Sequence, residues 1–107
     1  MWSLSSEEEE NRQNHWVVLP KVQEAMKRNP PDLNLARKLL AGLEDVEEKI
    51  PSWSRARLFR FRGELADVDG DTQAALQFYR MALELDPKIG VKRRYNALLA
   101  CALRQGN

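Results

Sequence analysis

"RGELADVDGDTQAALQFYRMALELDP", residues 62–87, places small residues at regular positions among strong helix formers. Two helices cross closely only where the residues at the contact are small, so Gly63 and Ala75 predict such a crossing. The "DGD" at 69–71 is typical of a tight turn, in which Gly70 supplies a positive φ. This stretch therefore predicts one hairpin of two closely packed helices.

The remainder of the chain also predicts helices. Few windows alternate apolar and polar residues, and only five prolines and five glycines punctuate 107 residues. "NPPD" at 29–32 and Pro51 are expected helix breaks. The fold class is therefore all-α, with short turns between antiparallel helices. We predict helices at about 20–28 (or a longer one kinked at Pro20), 32–50, 52–68, 72–85 and 88–105.

Length and charge limit the organisation. The chain suits one domain rather than two independent cores. The net charge is +1, but the first 50 residues carry −3 (seven Lys/Arg, ten Asp/Glu) and the remainder +4 (ten and six). We divide the chain into an acidic N-terminal segment, 1–14, and a helical domain, 15–107. Such a charge asymmetry orients a partner but does not identify one.

Residues 56–89 resemble the tetratricopeptide repeat, a helix–turn–helix unit of 34 residues. Phe59 stands where the family favours tryptophan, while Arg62 and Ala66 depart from the family's leucine and tyrosine. The alternative is an unrelated helical bundle with chance spacing. The positions that carry the resemblance are Phe59, Gly63, Gly70, Ala75, Tyr79, Ala82 and Pro87.

One such repeat cannot bury its own apolar face, so neighbouring repeats are expected. Residues 17–50 form a degenerate copy, and 90–105 resemble another first helix. The resemblance implies a short stacked solenoid of about two and a half repeats. The degenerate copy is aligned at an offset of 39, which pairs Asp32, Ala36, Leu40 and Leu43 with Asp71, Ala75, Tyr79 and Ala82.

A row of charged residues is the candidate binding site. Arg57, Arg60 and Glu64 share one face of the third predicted helix. In the family, first helices line a concave groove, and the repeat offsets align Arg94 and Lys21 with Arg60. Guanidinium groups bind carboxylates bidentately, so we expect an acidic peptide as partner. The alternative is ordinary surface charge, with Arg60 and Glu64 simply paired at i,i+4.

The family's chaperone-binding members grip a C-terminal carboxylate, and this sequence matches that clamp only in part. Arg60 and Arg94 match its cations. Glu64 stands where the clamp has an asparagine, and its charge would repel a carboxylate. Chaperone-tail binding is therefore not the first choice.

No catalytic constellation is evident, so we predict a protein that is not an enzyme and needs no cofactor or metal. His15 is the single histidine, and it is expected at the surface or as a cap. Cys101 is the single cysteine, so no internal disulfide forms, and in "LLACAL" it is expected to be buried and inert.

The last predicted helix is apolar on nearly all sides. A terminal solenoid helix should be polar outside, so we expect either self-association through Leu98, Leu99 or Leu103, or a chain cut from a longer array. No membrane span or secretory signal is evident, which favours a cytoplasmic location, with the nucleus as the alternative.

The sequence therefore predicts a scaffold that binds a peptide or helix of a protein partner. Two alternatives stay open: a nucleic-acid-associated helical repeat, and an accessory domain that positions the substrate of a larger enzyme. Nucleic acid is the weaker alternative, because no exposed aromatic stacking surface is evident and the net charge is near zero.

Overall fold

The computed structural model describes residues 15–105, apart from the side chains of Asp45 and Gln105. This part of the chain contains helices and no strand, so the all-α prediction is confirmed. The acidic segment 1–14 lies outside the described residues. The helices are α1 His15–Lys27, α2 Leu33–Ala41, a 3-10 helix Glu44–Lys49, α3 Ser52–Val68, α4 Thr72–Leu85 and α5 Lys92–Gln105.

The chain divides into two compact units, residues 1–54 and 55–107. In the first unit α1 packs against α2. α1 runs through Pro20, so the longer of the two predicted versions is the correct one. Pro20 is exposed, and the hydrogen bond that it cannot donate is therefore lost on the side facing water. The core residues here include Val18, Leu19, Val22, Ala25, Ala36, Leu40, Leu43 and Ile50.

α2 is shorter than predicted. It ends at Ala41, and the N–H of Gly42 donates to the carbonyl of Lys38 at 3.2 Å. A 3-10 helix replaces the expected continuation to residue 50. Glycine disfavours the helix interior, and the acidic residues that follow would meet the negative end of the helix dipole. Both effects favour a stop at Gly42.

In the second unit α4 has the predicted bounds, whereas α5 begins at Lys92 rather than at 88. Gly90 has φ 94°, a left-handed conformation that interrupts a helix. Gly70 has φ 80°, as expected for the turn before α4. The core of this unit combines Ala66, Ala75, Tyr79, Val91 and Leu98.

Gly63 lies at a close contact between α3 and α4. A Cβ atom added there would be 2.6 Å from both Cδ1 and Cε1 of the Tyr79 ring. Phe59 and Phe78 stack beside this contact, with ring centroids 6.4 Å apart. The absence of a side chain at Gly63 therefore makes room for the Tyr79 ring of α4.

The hairpins of the two units begin their second helices in the same way. Asp32 has φ −90° and ψ 80°, and its carboxylate accepts from the N–H of Leu35 at 3.1 Å. Asp71 has φ −89° and ψ 81°, and its carboxylate accepts from Ala74 at 3.1 Å. The other residues paired at an offset of 39 are all buried: Ala36 and Ala75, Leu40 and Tyr79, Leu43 and Ala82.

Candidate partner-binding surfaces

The charged row on α3 is half-buried. The Nε of Arg60 lies 3.4 Å from Oε1 of Glu64, and its guanidinium lies over the Phe61 ring at 4.7 Å from the centroid. Burial raises the pKa of Glu64, and the charge of Arg60 opposes that rise. Arg57 is also half-buried on this helix. The i,i+4 pair of Arg60 and Glu64, which the sequence analysis gave as the alternative to a binding row, is therefore present.

Arg94 is held by an acidic residue of the same unit. Its Nε and one terminal nitrogen each donate to a different carboxylate oxygen of Asp67, both at 2.6 Å. The hydroxyl of Tyr79 donates to the same carboxylate at 3.4 Å. The hydrogen bond from Arg94 lowers the pKa of Asp67, whereas burial raises the pKa of Tyr79. Arg94 therefore links α5 to α3 around the buried Tyr79.

Two residues that the repeat offset aligns with the charged row, Val91 and Leu98, are buried. The repeat offset places Val91 and Leu98 on the same row as Arg94, yet both are buried in the core against Ala66, Ala75 and Tyr79. The side of α5 that carries Leu98 therefore packs against residues of α3 and α4. Lys21, the remaining cation of the predicted row, is exposed on α1 in the first unit. A basic ladder that includes Lys21 stays a prediction.

His15 is buried, so the expectation of a surface or cap histidine is wrong. Its Nδ1 and the hydroxyl of Ser54, itself buried, share a hydrogen bond of 2.6 Å. Trp16 and Trp53 contact the imidazole edge-on, and both indoles are exposed. Burial lowers the pKa of His15. The partner hydroxyl, 39 residues away, gave no local signal in the sequence.

Cys101 is exposed on α5, which contradicts the prediction of a buried thiol. The apolar run around it was correctly recognised, but only one side of the helix is covered. Leu98 is buried, while Leu99 is 37% and Leu103 is 65% exposed. Of the three leucines expected to drive self-association, Leu99 and Leu103 are therefore the two available to a partner.

A shallow groove between α4 and α5 was missed by the sequence analysis. One part is lined by Leu76, Tyr95 and Leu99 together with Gln73, Gln77 and Arg80. An adjoining part is lined by Leu83, Pro87, Lys92, Tyr95 and Asn96. The signal was the spacing of four that joins Tyr95, Leu99 and Leu103, which places them on adjacent turns of one helix side.

No protein-family model, curated protein or solved structure matches this chain.

Residues 15–105 contain no cluster of three or more His, Cys, Asp or Glu side chains that could hold a metal ion. Within the same range, no helix combines the length and apolar character needed to cross a membrane. Two surfaces of the described residues are candidates for binding a partner: the α3 charged row and the α4–α5 groove.

Proposed function

We propose that this chain is a non-enzymatic protein-interaction domain built from tetratricopeptide-like helical hairpins. The observation that carries the proposal is the contact of Gly63 with the Tyr79 ring, which joins two of the positions that carry the resemblance to the tetratricopeptide repeat. The matching aspartate caps of α2 and α4 support an internally repeated hairpin. Domains of stacked hairpins present extended surfaces to other proteins.

The α3 row supplies the chemistry of recognition in this proposal. The side chain of Arg60 is 24% exposed, and its Nε lies 3.4 Å from Oε1 of Glu64, a long ion pair. Burial of the neighbouring Glu64 raises the pKa of its carboxyl, because the charged form is partly removed from water. An acidic side chain of a partner would give the Arg60 guanidinium a better acceptor, and Arg57 lies on the same face. Arg94 contributes indirectly, since its ion pair with Asp67 holds α5 in place.

Affinity capture followed by mass spectrometry tests the proposal. The tagged chain is compared with Arg60→Glu and with Lys88→Glu, a matched charge reversal at an exposed turn residue. We expect a reproducible partner that Arg60→Glu loses by about tenfold, equivalent to about 1.4 kcal/mol, and that Lys88→Glu retains. Circular dichroism checks that all three chains are equally helical. Capture of the same partner by Arg60→Glu would remove the α3 row from recognition, and absence of any partner would contradict the interaction function.

A further inference from the structure

The groove between α4 and α5 has the properties of a helix-binding surface. Its floor consists of half-buried side chains that also pack against the core of the second unit, among them Leu76, Leu83 and Tyr95. Leu99 lines one part of the groove and is 37% exposed, and Leu103, one turn further along α5, is 65% exposed. α5 has 14 residues, so the groove offers a length of about 21 Å to a partner.

The charged side chains that line this groove, Arg80 and Lys92, are both cations. α5 carries Lys92, Arg93, Arg94 and Arg104 and no acidic residue. Asp67 compensates Arg94, but Lys92, Arg93 and Arg104 are exposed. Arg80 adds a cation on the α4 side, where it pairs with Glu84 at 3.2 Å. The residues that line the two parts of the groove include no carboxylate.

This charge pattern decides between occupants. A second copy of the chain, docked through the same surface, would add its own Arg80 and Lys92 to an interface that already holds these two cations. Like charges at an interface are unfavourable and slow association. A helix with acidic residues beside its apolar stripe would meet the leucines with its apolar side and the cations with its carboxylates.

We propose that the α4–α5 groove binds an acidic amphipathic helix of another protein. The partner's apolar residues, at i, i+3, i+4 and i+7, contact Leu76, Leu99 and Leu103, while its carboxylates approach Lys92 and Arg104. The proposal rests on the interaction function proposed above, and it assigns a surface separate from the α3 row.

The test uses two synthetic peptides of about 14 residues, the helical length that spans the groove. Both carry leucine at the same helical positions; the first has glutamate on the remaining face and the second has lysine. Fluorescence anisotropy measures binding of each labelled peptide to the whole chain. We expect the glutamate peptide to bind at least about tenfold more tightly than the lysine peptide, with a difference that shrinks as salt increases.

Variants locate the site. Leu99→Glu and Leu103→Glu should each lower the affinity for the glutamate peptide by about tenfold or more. Val68→Glu, which adds the same charge at an apolar residue that is 61% exposed on α3, should change binding by less than about twofold. Because Leu103 is 65% exposed, Leu103→Glu keeps the test valid even if Leu99→Glu reduces folding.

Three results would overturn the proposal: equal binding of the two peptides, unchanged binding by both leucine variants, or a dimer of the unliganded chain that Leu103→Glu dissociates in sedimentation. The last result would identify a second copy as the occupant. If the peptides fail while a partner is still captured in an Arg60-dependent way, the groove assignment fails and the interaction function stands.

Discussion

Gly63→Ala is the most direct perturbation of the fold. The new methyl would lie 2.6 Å from two carbons of the Tyr79 ring, so the ring must move by about 0.8 Å to reach an ordinary contact of 3.4 Å. The ring is only 2% exposed and its hydroxyl bonds to Asp67, which leaves it little room to move. Overpacking of this kind costs about 1–3 kcal/mol.

The opposing effect is helix propensity. Alanine is better than glycine inside a helix by about 1 kcal/mol. The two effects leave Gly63→Ala destabilised by about 0–2 kcal/mol, and Gly63→Leu by more, because its side chain is larger. For a domain of this size each kcal/mol lowers the melting temperature by about 4–8 °C.

Urea unfolding followed by circular dichroism measures both variants. Ala97→Gly is the matched control: Ala97 is exposed within α5, so this change reports propensity alone and should cost about 1 kcal/mol. If Gly63→Ala gains as much stability as Ala97→Gly loses, or if Gly63→Leu melts above the parent chain, the close contact with Tyr79 does not exist and the packing argument is wrong.

Three further predictions concern the individual residues His15, Asp67 and Cys101. Burial lowers the pKa of His15, so the imidazole binds a proton more readily in the unfolded chain than in the folded one. The stability of the folded chain should therefore fall as the pH drops below about 6.5. In urea titrations at several pH values, His15→Asn should flatten this decline. Asp67→Asn removes the negative charge and one of the two oxygens that accept from Arg94, and it should cost about 1 kcal/mol at pH 7. Because the folded pKa of Asp67 is lowered, this difference should disappear as the pH falls below about 3.8. Equal stability of the two chains at pH 7 would contradict the role of the pair. Cys101 should react with a thiol reagent in the folded chain as fast as in urea, whereas strong protection would show that α5 is covered.

Local signals explain what the sequence analysis predicted well. The bounds of α4 follow from Asp71, which caps its start, and from the "DP" at 86–87, which ends it. The small residue at 63 predicted a close contact with α4, although the sequence analysis paired it with Ala75 and the contact is made by the Tyr79 ring. These signals depend on residues a few positions apart, and such patterns are visible in one sequence.

Long-range partners explain what it predicted badly. Nothing near His15 in the sequence points to Ser54, and nothing near Arg94 points to Asp67, so the burial of the first and the ion pair of the second required coordinates. The side of α5 that faces the core also depends on distant residues, and the burial predicted for Cys101 was wrong for this reason. The apolar residues of α5 surround the helix, and only packing decides that Val91 and Leu98 turn inward while Cys101 stays outside.

The aspartate caps have a consequence for folding kinetics. Each cap joins atoms of residues only three positions apart, Asp32 with Leu35 and Asp71 with Ala74, so it forms without any distant part of the chain. Helix nucleation is the slow and costly step, and a cap at the first turn lowers its cost. Chains dominated by such short-range contacts fold in microseconds to milliseconds. We therefore expect α2 and α4 to begin forming early, before the tertiary contacts of Tyr79 are in place.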